Sequence, residues 1–579
     1  MNKSAVDLLQ KHFDIALEAP DGIKKLRELI LTLAMQGKLV PQDPNDQPAG
    51  ELLKEIEAEM KRLVKEGKIK GRKNASADYA DGRRWEIKSD EVPYAVPKGW
   101  EWVRLGEIGE TQTGTTPATK DADNYGDYIP FIGPGDIQNK QIDYSCDGLS
   151  EKGSQSARLI DQNSILMVCI GGSIGKHAIT TRKISCNQQI NAITPFKSSV
   201  LFLFYAMSAR FFQDTVVESA GGSATPIINK QKWSSIPLPL PPLAEQKRIV
   251  AKIDQLMAGC DALEQLRKRR QGKRLDIHTA AISRLLDTSQ PAEVEAAWAF
   301  LQAHFGELYG VKENVAELRK AILQLAVMGK LVPQDPTDQP AGELLKEIEA
   351  EKKRLVKEGK IKEKKSADYA DERRWEIKPE DVPYAVPKGW EWARLREICS
   401  KITDGEHQTP PRIPVGFRLL SAKNVRNGYL DYSKCDFISE EHYQSARKRC
   451  LPEKGDLLIV SVGGTIGRTS LIEKDTEFAL VRSVAIIKPM ILNSYFLRLA
   501  FLSPLIQSTI HSTKRGGAQP CLYLSEIEQF MLPLPPLAEQ KRIVAKIDKL
   551  MALCDGLEQG IEAATRKQSA VLGAVLAAV

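Results

Sequence analysis

The chain lacks any apolar run approaching the roughly 18 residues that a membrane span requires, so no membrane partner is expected. Its opening stretch, MNKSAVDLLQKHFDIALEAPDG, has no long apolar core and carries acids, so it does not read as a signal peptide. Nine cysteines are scattered without a C-x-x-C pair. That pattern predicts reduced thiols in the cytoplasm and no disulfide frame or zinc site. Seven histidines show no metal-ligand spacing. No G-x-G-x-x-G occurs, which removes a Rossmann dinucleotide site. GGSIGK (171–176) falls short of a phosphate loop, because His177 stands where Ser or Thr is needed; it reads as a glycine turn after a strand. The N-P-P-Y-type tetrapeptide of adenine methyltransferases is missing, and TPPR (409–412) has the wrong composition. WEIK (85–88 and 375–378) holds a Glu-x-Lys that nucleases can use. Metal catalysis needs several convergent ligands, however, and no Asp partner is placed. No catalytic residue, metal site or cofactor is therefore expected in this chain.

What is present is a repeat. Leu39–Lys70 recurs as Leu331–Lys362 with two changes, Asn45 to Thr337 and Met60 to Lys352, at an offset of 292 residues. Leu243–Asp254 (LAEQKRIVAKID) recurs letter for letter as Leu537–Asp548. Between these frames lie two segments of similar length that hardly resemble each other. Near-identical frames with different fillings predict one kind of task performed on two different targets. At 579 residues, with 42% apolar and 27% charged residues, the chain can hold several domains of globular composition. A net charge of +7 is compatible with a nucleic-acid partner without requiring one.

Periodicity predicts helix over 5–37, with Leu26, Leu29, Ile30, Leu33 and Ala34 on one stripe and Gly37 as the stop. The Pro/Asp run 40–50 cannot continue it. Glu51–Glu66 reads as an amphipathic helix with a basic run along and after it, from Lys61 to Lys73. That run is a solvated face or a phosphate or partner contact. PYAVPKGWEWVRL (93–105) and PYAVPKGWEWARL (383–395) lead into the fillings. Each filling alternates short β-like runs with Gly, Asn and Asp turns: Tyr128–Ile132, Ser164–Ile170 and Ile190–Pro195 in the first, Leu457–Val462 in the second. Each also holds one predicted helix, Leu201–Thr215 or Asn493–Ile510. Proline-rich exits (236–246 and 531–540) open onto helices with a coiled-coil-like seam. Ile249, Ile253, Leu256, Cys260, Leu263 and Leu266 form the first seam. Ile543, Ile547, Leu550, Cys554 and Leu557 form the second. The first helix is expected to reach about Leu286.

Five segments result. They are a helical frame (1–102), a first filling (103–236), a central helical spacer with the repeated frame (237–392), a second filling (393–531) and a final helix (532–579). The predicted fold class is α+β: two globular mixed domains joined and separated by long antiparallel, coiled-coil-like helices, in an internal pseudo-two-fold repeat.

Loops in both fillings combine Gly with Lys, Arg, Asn, Gln and Thr, side chains that position on phosphate and read base edges. In the first filling the candidates are Thr115 and Thr116, Lys176, Asn187 and Gln188, and Asn229 with Lys230. In the second they are His407 and Gln408, Lys423 and Asn424, Arg468, Arg482, and Lys514 with Arg515. Residues 393–530 carry 19 Lys+Arg against 14 Asp+Glu, whereas 103–235 carry 12 of each. The first filling therefore needs a polarised surface or a partner's help to hold DNA.

PKGWEWVRL and PKGWEWARL, GGSIGK and GGTIGR, and LPPLAEQKRIVAKID at both exits resemble the specificity subunit of Type I DNA restriction-modification systems. The resemblance spans nearly the whole chain, and the long frame with LVPQDP is similar to the Type IB subgroup. It implies that each filling is a target recognition domain reading one half of a split, asymmetric site on double-stranded DNA. It also implies that the constant helices separate these domains and dock two methyltransferase subunits. On that basis the partner-binding candidates are Glu245, Gln246, Arg248, Ile249 and Ile253, with Glu539, Gln540, Arg542, Ile543 and Ile547. The resemblance implies no catalysis in this subunit. Methyltransferase subunits would carry S-adenosylmethionine and methylate adenine N6; two motor-nuclease subunits, using ATP and magnesium, would complete the restriction complex. Twin frames on one chain can offer equivalent sites to two identical partners, and the helices starting at Leu243 and Leu537 would fix the half-site separation.

Two readings of other classes stand beside this one. A scaffold could bind proteins through its variable domains, with the exit helices as oligomerisation zippers. DNA binding weakens steeply with salt; a hydrophobic protein interface does not. A self-contained nuclease built on WEIK would cleave DNA metal-dependently as the isolated chain.

Overall fold

The computed structural model describes residues 18–69, 87–222, 225–287, 290–361, 377–474, 477–515 and 520–577. The helical stretch expected before residue 18, the end of the basic run from Lys70 to Lys73 and the first two residues of each WEIK lie outside them. So do residues 223–224 and 516–519 of the glycine-rich loops. The chain divides into two compact units, 1–269 with 565–579, and 270–564.

In the first unit, the helix Gly22–Met35 is closed by Gly37. Gly37 has φ +66°, and a Cβ there would stand 2.4 Å from Pro97 Cγ. Both the left-handed backbone and the proline beside it therefore demand glycine. Gly329 repeats both features in the second unit, with φ +68° and Pro387 Cγ at 2.4 Å. After the extended Pro/Asp run, Ala49–Lys65 buries Ala49, Leu52 and Ile56 and turns its charged face to water.

The filling then leaves the frame along one strand and returns along its neighbour. Glu101–Arg104 pairs antiparallel with Pro237–Leu240, Glu101 opposite Leu240 and Arg104 opposite Pro237. Alternate prolines are tolerated because this sheet has only two strands, so the missing N–H can face away from the ladder. Glu391–Arg394 and Met531–Leu534 close the second filling in the same register.

Each filling is built on a four-stranded antiparallel sheet. In the first, the order is Gly109–Thr113, Ile190–Pro195, Ile165–Val168, His177–Ile179. In the second it is Cys399–Asp404, Val484–Pro489, Leu457–Val460, Thr469–Leu471. The expected single helix of each filling is two helices. Val200–Ser208 and Arg210–Ser219 meet at a 65° bend. Ala209 is extended (φ −69°, ψ 148°), and Gln213 Nε2 donates to Met207 O at 2.6 Å, taking over a carbonyl that the broken helix leaves without its partner. Ser494–Leu502 and Pro504–Thr513 repeat the break, with Gln507 Nε2 on Phe501 O at 2.7 Å. Among the described residues no single helix is long and apolar enough to cross a membrane. The bent pair Val200–Ser208 and Arg210–Ser219 passes on length and composition together, but its Phe202, Leu203, Phe212 and Val216 lie in the first unit's core.

The closing helices are Leu243–Asp287, 45 residues, and Leu537–Ala577, 41 residues. The first begins in the first unit and ends in the second; the other begins in the second unit and ends in the first. The seam of the first is shorter than the sequence suggests. Ile249, Ile253 and Cys260 are buried, but Leu263 and Leu266 are 39% and 60% exposed. Polar contacts take over on this stretch, where Arg27 bonds Asp261 and Glu264 and Arg267 donates to Ala19 O at 3.0 Å.

Candidate nucleic-acid interface

Strand direction decides which loops meet. In the first sheet, Gly109–Thr113 and Ile165–Val168 end where Ile190–Pro195 and His177–Ile179 begin. The segments after Thr113, before Ile190 and between Val168 and His177 therefore share one end of the sheet. Backbone hydrogen bonds knit them together: Gly114 N to Ile190 O at 2.9 Å, Thr115 N to Cys186 O at 2.9 Å, and Cys169 N to Gln189 O at 2.8 Å. Pro226 and Ile228 join them, through Gly171 N to Pro226 O (2.9 Å) and Ile228 N to Cys169 O (3.0 Å).

This end gathers Thr115, Thr116, Lys176, Asn187 and Gln188, and Thr116 Oγ1 donates to Gln188 Oε1 across two loops. Lys176 and Gln188 are exposed. Asn229 accepts from Lys232 N at 2.9 Å and so caps the short helix Lys230–Ser234, while Lys230 reaches Thr111 O at 3.4 Å. Asp161 lies beside Thr180, at the opposite end of the sheet.

The second unit repeats the arrangement with other letters. Gly405 N bonds Val484 O at 3.2 Å, Arg482 N bonds Glu406 O at 2.9 Å, and Gly463 N bonds Pro520 O at 3.0 Å. His407, Gln408, Arg468, Arg482, Lys514 and Arg515 belong to these loops. Arg468, Arg482 and Lys514 have no ion-pair partner among the described residues, whereas Arg515 pairs with Glu526 at 2.8 Å. Lys423 shares Asp436 with Arg412, at 2.8 and 3.0 Å. Two cations on one acid leave a positive excess.

Asn424 departs from its expected role. It is buried, accepts from Ser421 N at 3.0 Å and donates to Asp431 O at 3.0 Å. It closes the 421–435 turn and offers no polar atom to a base. Asp136 does the same work in the first filling, accepting from Gly133 N at 2.7 Å.

Two arginines outside the glycine loops reach this end as well. Arg158 donates to Thr113 O at 2.7 Å. Arg449 donates to the buried Asp404 at 2.8 Å, and His407 Nε2 lies 2.9 Å from the same carboxylate. Each anchors the last residue of the first sheet strand. The tetrapeptide QSAR, at 155–158 and again at 444–447, is the sequence signal that could have pointed to these regions.

GGSIGK is a turn in which Gly171 and Gly175 have φ +94° and +89°. The following His177 is buried. Its Nδ1–H donates to Gly175 O at 2.9 Å, and Nε2 lies 2.7 Å from Ser208 Oγ. Burial holds its pKa down to about 4, so the folded ring stays neutral while the unfolded chain protonates near 6.5. Stability is thus full above pH 6.5 and is lost as pH falls toward 4. Between pH 7.5 and 5 the loss should be about 2 kcal/mol, read as a lower denaturation midpoint of the first unit. His177→Gln should remove that part of the slope. The second unit has Thr469 in this place, with Oγ1 donating to Gly467 O at 2.9 Å, and no such proton uptake.

The residues assigned to partner subunits turn inward instead. Trp100 Nε1 donates to Glu245 at 2.9 Å, and Gln42 Nε2 donates to the same carboxylate at 3.2 Å. Gln246 accepts from Ser199 N and donates to Pro241 O, both at 2.9 Å. Arg248 pairs with Asp46, and Ile249 and Ile253 are in the first unit's core. Glu539, Gln540, Arg542, Ile543 and Ile547 repeat every one of these roles with Trp390, Gln334, Asn493, Pro535 and Asp338. Apart from the two half-exposed arginines, these side chains are buried in the chain's own packing and cannot be a docking face. The motif is copied because it locks the exit helix to the opening tryptophan.

Among the described residues no group of three His, Cys, Asp or Glu side chains could hold a metal ion.

The family model for the Type I restriction modification DNA specificity domain matches residues 97–271 and 387–565. The Type I restriction enzyme EcoAI specificity subunit of Escherichia coli is 33% identical over 94% of this chain and 92% of its own length. The EcoEI specificity subunit, also from Escherichia coli, is 30% identical over the same shares. A chain from a solved type I R-M system is 20% identical, covers 84% of this chain and 99% of that one, and has a TM-score of 0.45. With two copies of the domain and near full-length similarity to these subunits, the chain belongs to the Type I restriction-modification DNA specificity family.

Proposed function

We propose that this chain is the non-catalytic, DNA-reading subunit of a cytoplasmic Type I restriction-modification complex. Each filling reads one half of a split, asymmetric target through the loop end of its four-stranded sheet. The observation that carries this reading is the same loop end built twice on one topology with different side chains. In the first unit it presents Thr115, Thr116, Lys176 and Gln188; in the second, His407, Gln408, Arg468, Arg482 and Lys514. Such a set suits phosphate and base-edge contacts. Two methyltransferase subunits carrying S-adenosylmethionine would methylate adenine N6 between the clamped halves, where base extrusion costs a few kcal/mol. Restriction subunits would bring ATP and magnesium. The long helices Leu243–Asp287 and Leu537–Ala577 suit the role of setting the half-site spacing.

Exchange of residues 103–236 for the corresponding segment of another family member tests it. Mapping of methylated adenines in cells carrying the chimera and its methyltransferase partner should find one half of the target altered and the other intact. A change in both halves would reject the modular reading.

A further inference from the structure

The two fillings carry different side chains at corresponding places, and backbone hydrogen bonds fix the correspondence. Gly114 N to Ile190 O, Thr115 N to Cys186 O and Cys169 N to Gln189 O lie at 2.9, 2.9 and 2.8 Å. They recur as Gly405 N to Val484 O, Glu406 N to Leu480 O and Ser461 N to Ser483 O, at 3.2, 2.7 and 2.9 Å. Val168 N to Lys176 O (2.8 Å) recurs as Val460 N to Arg468 O (2.9 Å). In this register Thr116 corresponds to His407, Lys176 to Arg468, and Gln188 to Arg482.

Phosphate is the same on every sequence, so a residue that holds it can keep its charge in both fillings. Lys176 and Arg468 keep theirs. A residue that reads a base has to change when the target changes. In the loop 187–189 and its counterpart 481–483, only the middle residue is exposed in both, and it changes type, Gln188 against Arg482. Asn187 folds back on its own turn, accepting from Gln189 N at 3.0 Å, and Val481 has no polar side chain. Arg482 is anchored through its backbone, N to Glu406 O at 2.9 Å, and its guanidinium has no hydrogen-bond or ion-pair partner among the described residues. Gln188 is oriented by Thr116, whose Oγ1 donates to Gln188 Oε1. That bond takes one of the carbonyl's two lone pairs and sets which way the amide points. The second lone pair and the Nε2 hydrogens have no partner among the described residues.

We infer that Gln188 and Arg482 are the equivalent specificity-determining residues of the two fillings, Gln188 reading an adenine and Arg482 a guanine through the major groove. This rests on the DNA-reading role proposed above and names the bases read at one position in each half. A guanidinium only donates, and guanine presents two adjacent acceptors, O6 and N7. A carboxamide donates and accepts, and adenine presents N7 as acceptor beside the N6 donor. An adenine read in this way stays stacked in the duplex, so it is not the one extruded for methylation.

Exchange of the two residue types tests this. R482Q and Q188R are made in the full chain, methylated adenines are mapped in cells that also carry the methyltransferase subunit, and the 103–236 exchange assigns each half of the target to its filling. R482Q should turn one G·C pair of the second filling's half into A·T or into any pair, and leave every other position intact. Q188R should release one A·T pair of the first filling's half in the same way. In binding assays with the methyltransferase subunit present, replacing that G·C pair should weaken the wild-type chain roughly 10- to 100-fold and R482Q far less. R482K keeps the charge without the planar fork; it should lose the discrimination and keep the salt dependence. It also carries the test if R482Q lowers the thermal midpoint. R468Q should weaken binding to all sequences alike and leave the motif unchanged. An R482Q chain with an unchanged motif and uniformly weaker binding would put Arg482 on phosphate and overturn the inference. So would a second half without a G·C pair, a first half whose only A·T pair is the methylated one, or a change in the wrong half. Wild-type methylation without any bipartite motif would overturn the DNA-reading role itself, and that result needs no variant.

Discussion

Glu245→Ala should destabilise the first unit by about 3 kcal/mol, the cost of a buried Trp N–H left without an acceptor together with a second lost bond and a small cavity. The carboxylate is buried and takes hydrogen bonds from Trp100 and Gln42, which come from two different parts of the frame. Burial raises its pKa, with the Trp100 and Gln42 hydrogen bonds opposing that rise. Glu245→Gln keeps an acceptor in place and should cost less than half as much. Urea denaturation of the full chain measures both. Glu539→Ala should give a matching loss in the second unit, where Trp390 donates to Glu539 at 2.9 Å. A loss below about 1 kcal/mol for either alanine would show that the tryptophan is not held by this bond.

Gly114→Val should disable the recognition loops of the first filling alone. A Cβ at Gly114 would stand 2.1 Å from Asn187 O and 2.3 Å from Cys186 O. Both are backbone atoms of the loop that carries Asn187 and Gln188, so relief requires that the loop move away. The strain should reach about 3 kcal/mol. Loss of one half-site's contacts should lower specific DNA affinity on the order of 100-fold, while methylation patterns tied to the other half persist in weakened form. Gly405 holds the equivalent place in the second filling, with Leu480 O at 2.2 Å from its Cβ position, and Gly405→Val should spare the first half instead. Gly172→Ala is the control: it lies in the same loop cluster and would meet nothing within 4 Å. Fluorescence anisotropy on the split target checks all three.

The repeat, the mixed domains and the long helices were legible because identical letters at a constant offset need no structure to be seen. The strand Ile190–Pro195 was legible because its apolar run is bounded by turn residues. Other features had no local signal. The partner of Glu245 is 145 residues away, so a buried acid on an amphipathic helix looks like a docking residue. The helix break at Ala209 has no proline to mark it, whereas Pro504 marks its twin. Asn424 and Asp136 fold back on their own turns, and a loop asparagine reads the same way whether it faces water or its own backbone. Charge counts treated the first filling as one number and could not show that Asp161 and Lys176 occupy opposite ends of a sheet.

Because Glu101–Arg104 lies directly against Pro237–Leu240, the ends of the inserted segment are pinned side by side whatever lies between them. The distance to be spanned does not grow with the insert, and doubling the length of a tethered segment adds only about 0.6 kcal/mol of closure entropy. Inserts of quite different size can therefore be carried at little thermodynamic expense. What limits them is whether each folds once its ends are held.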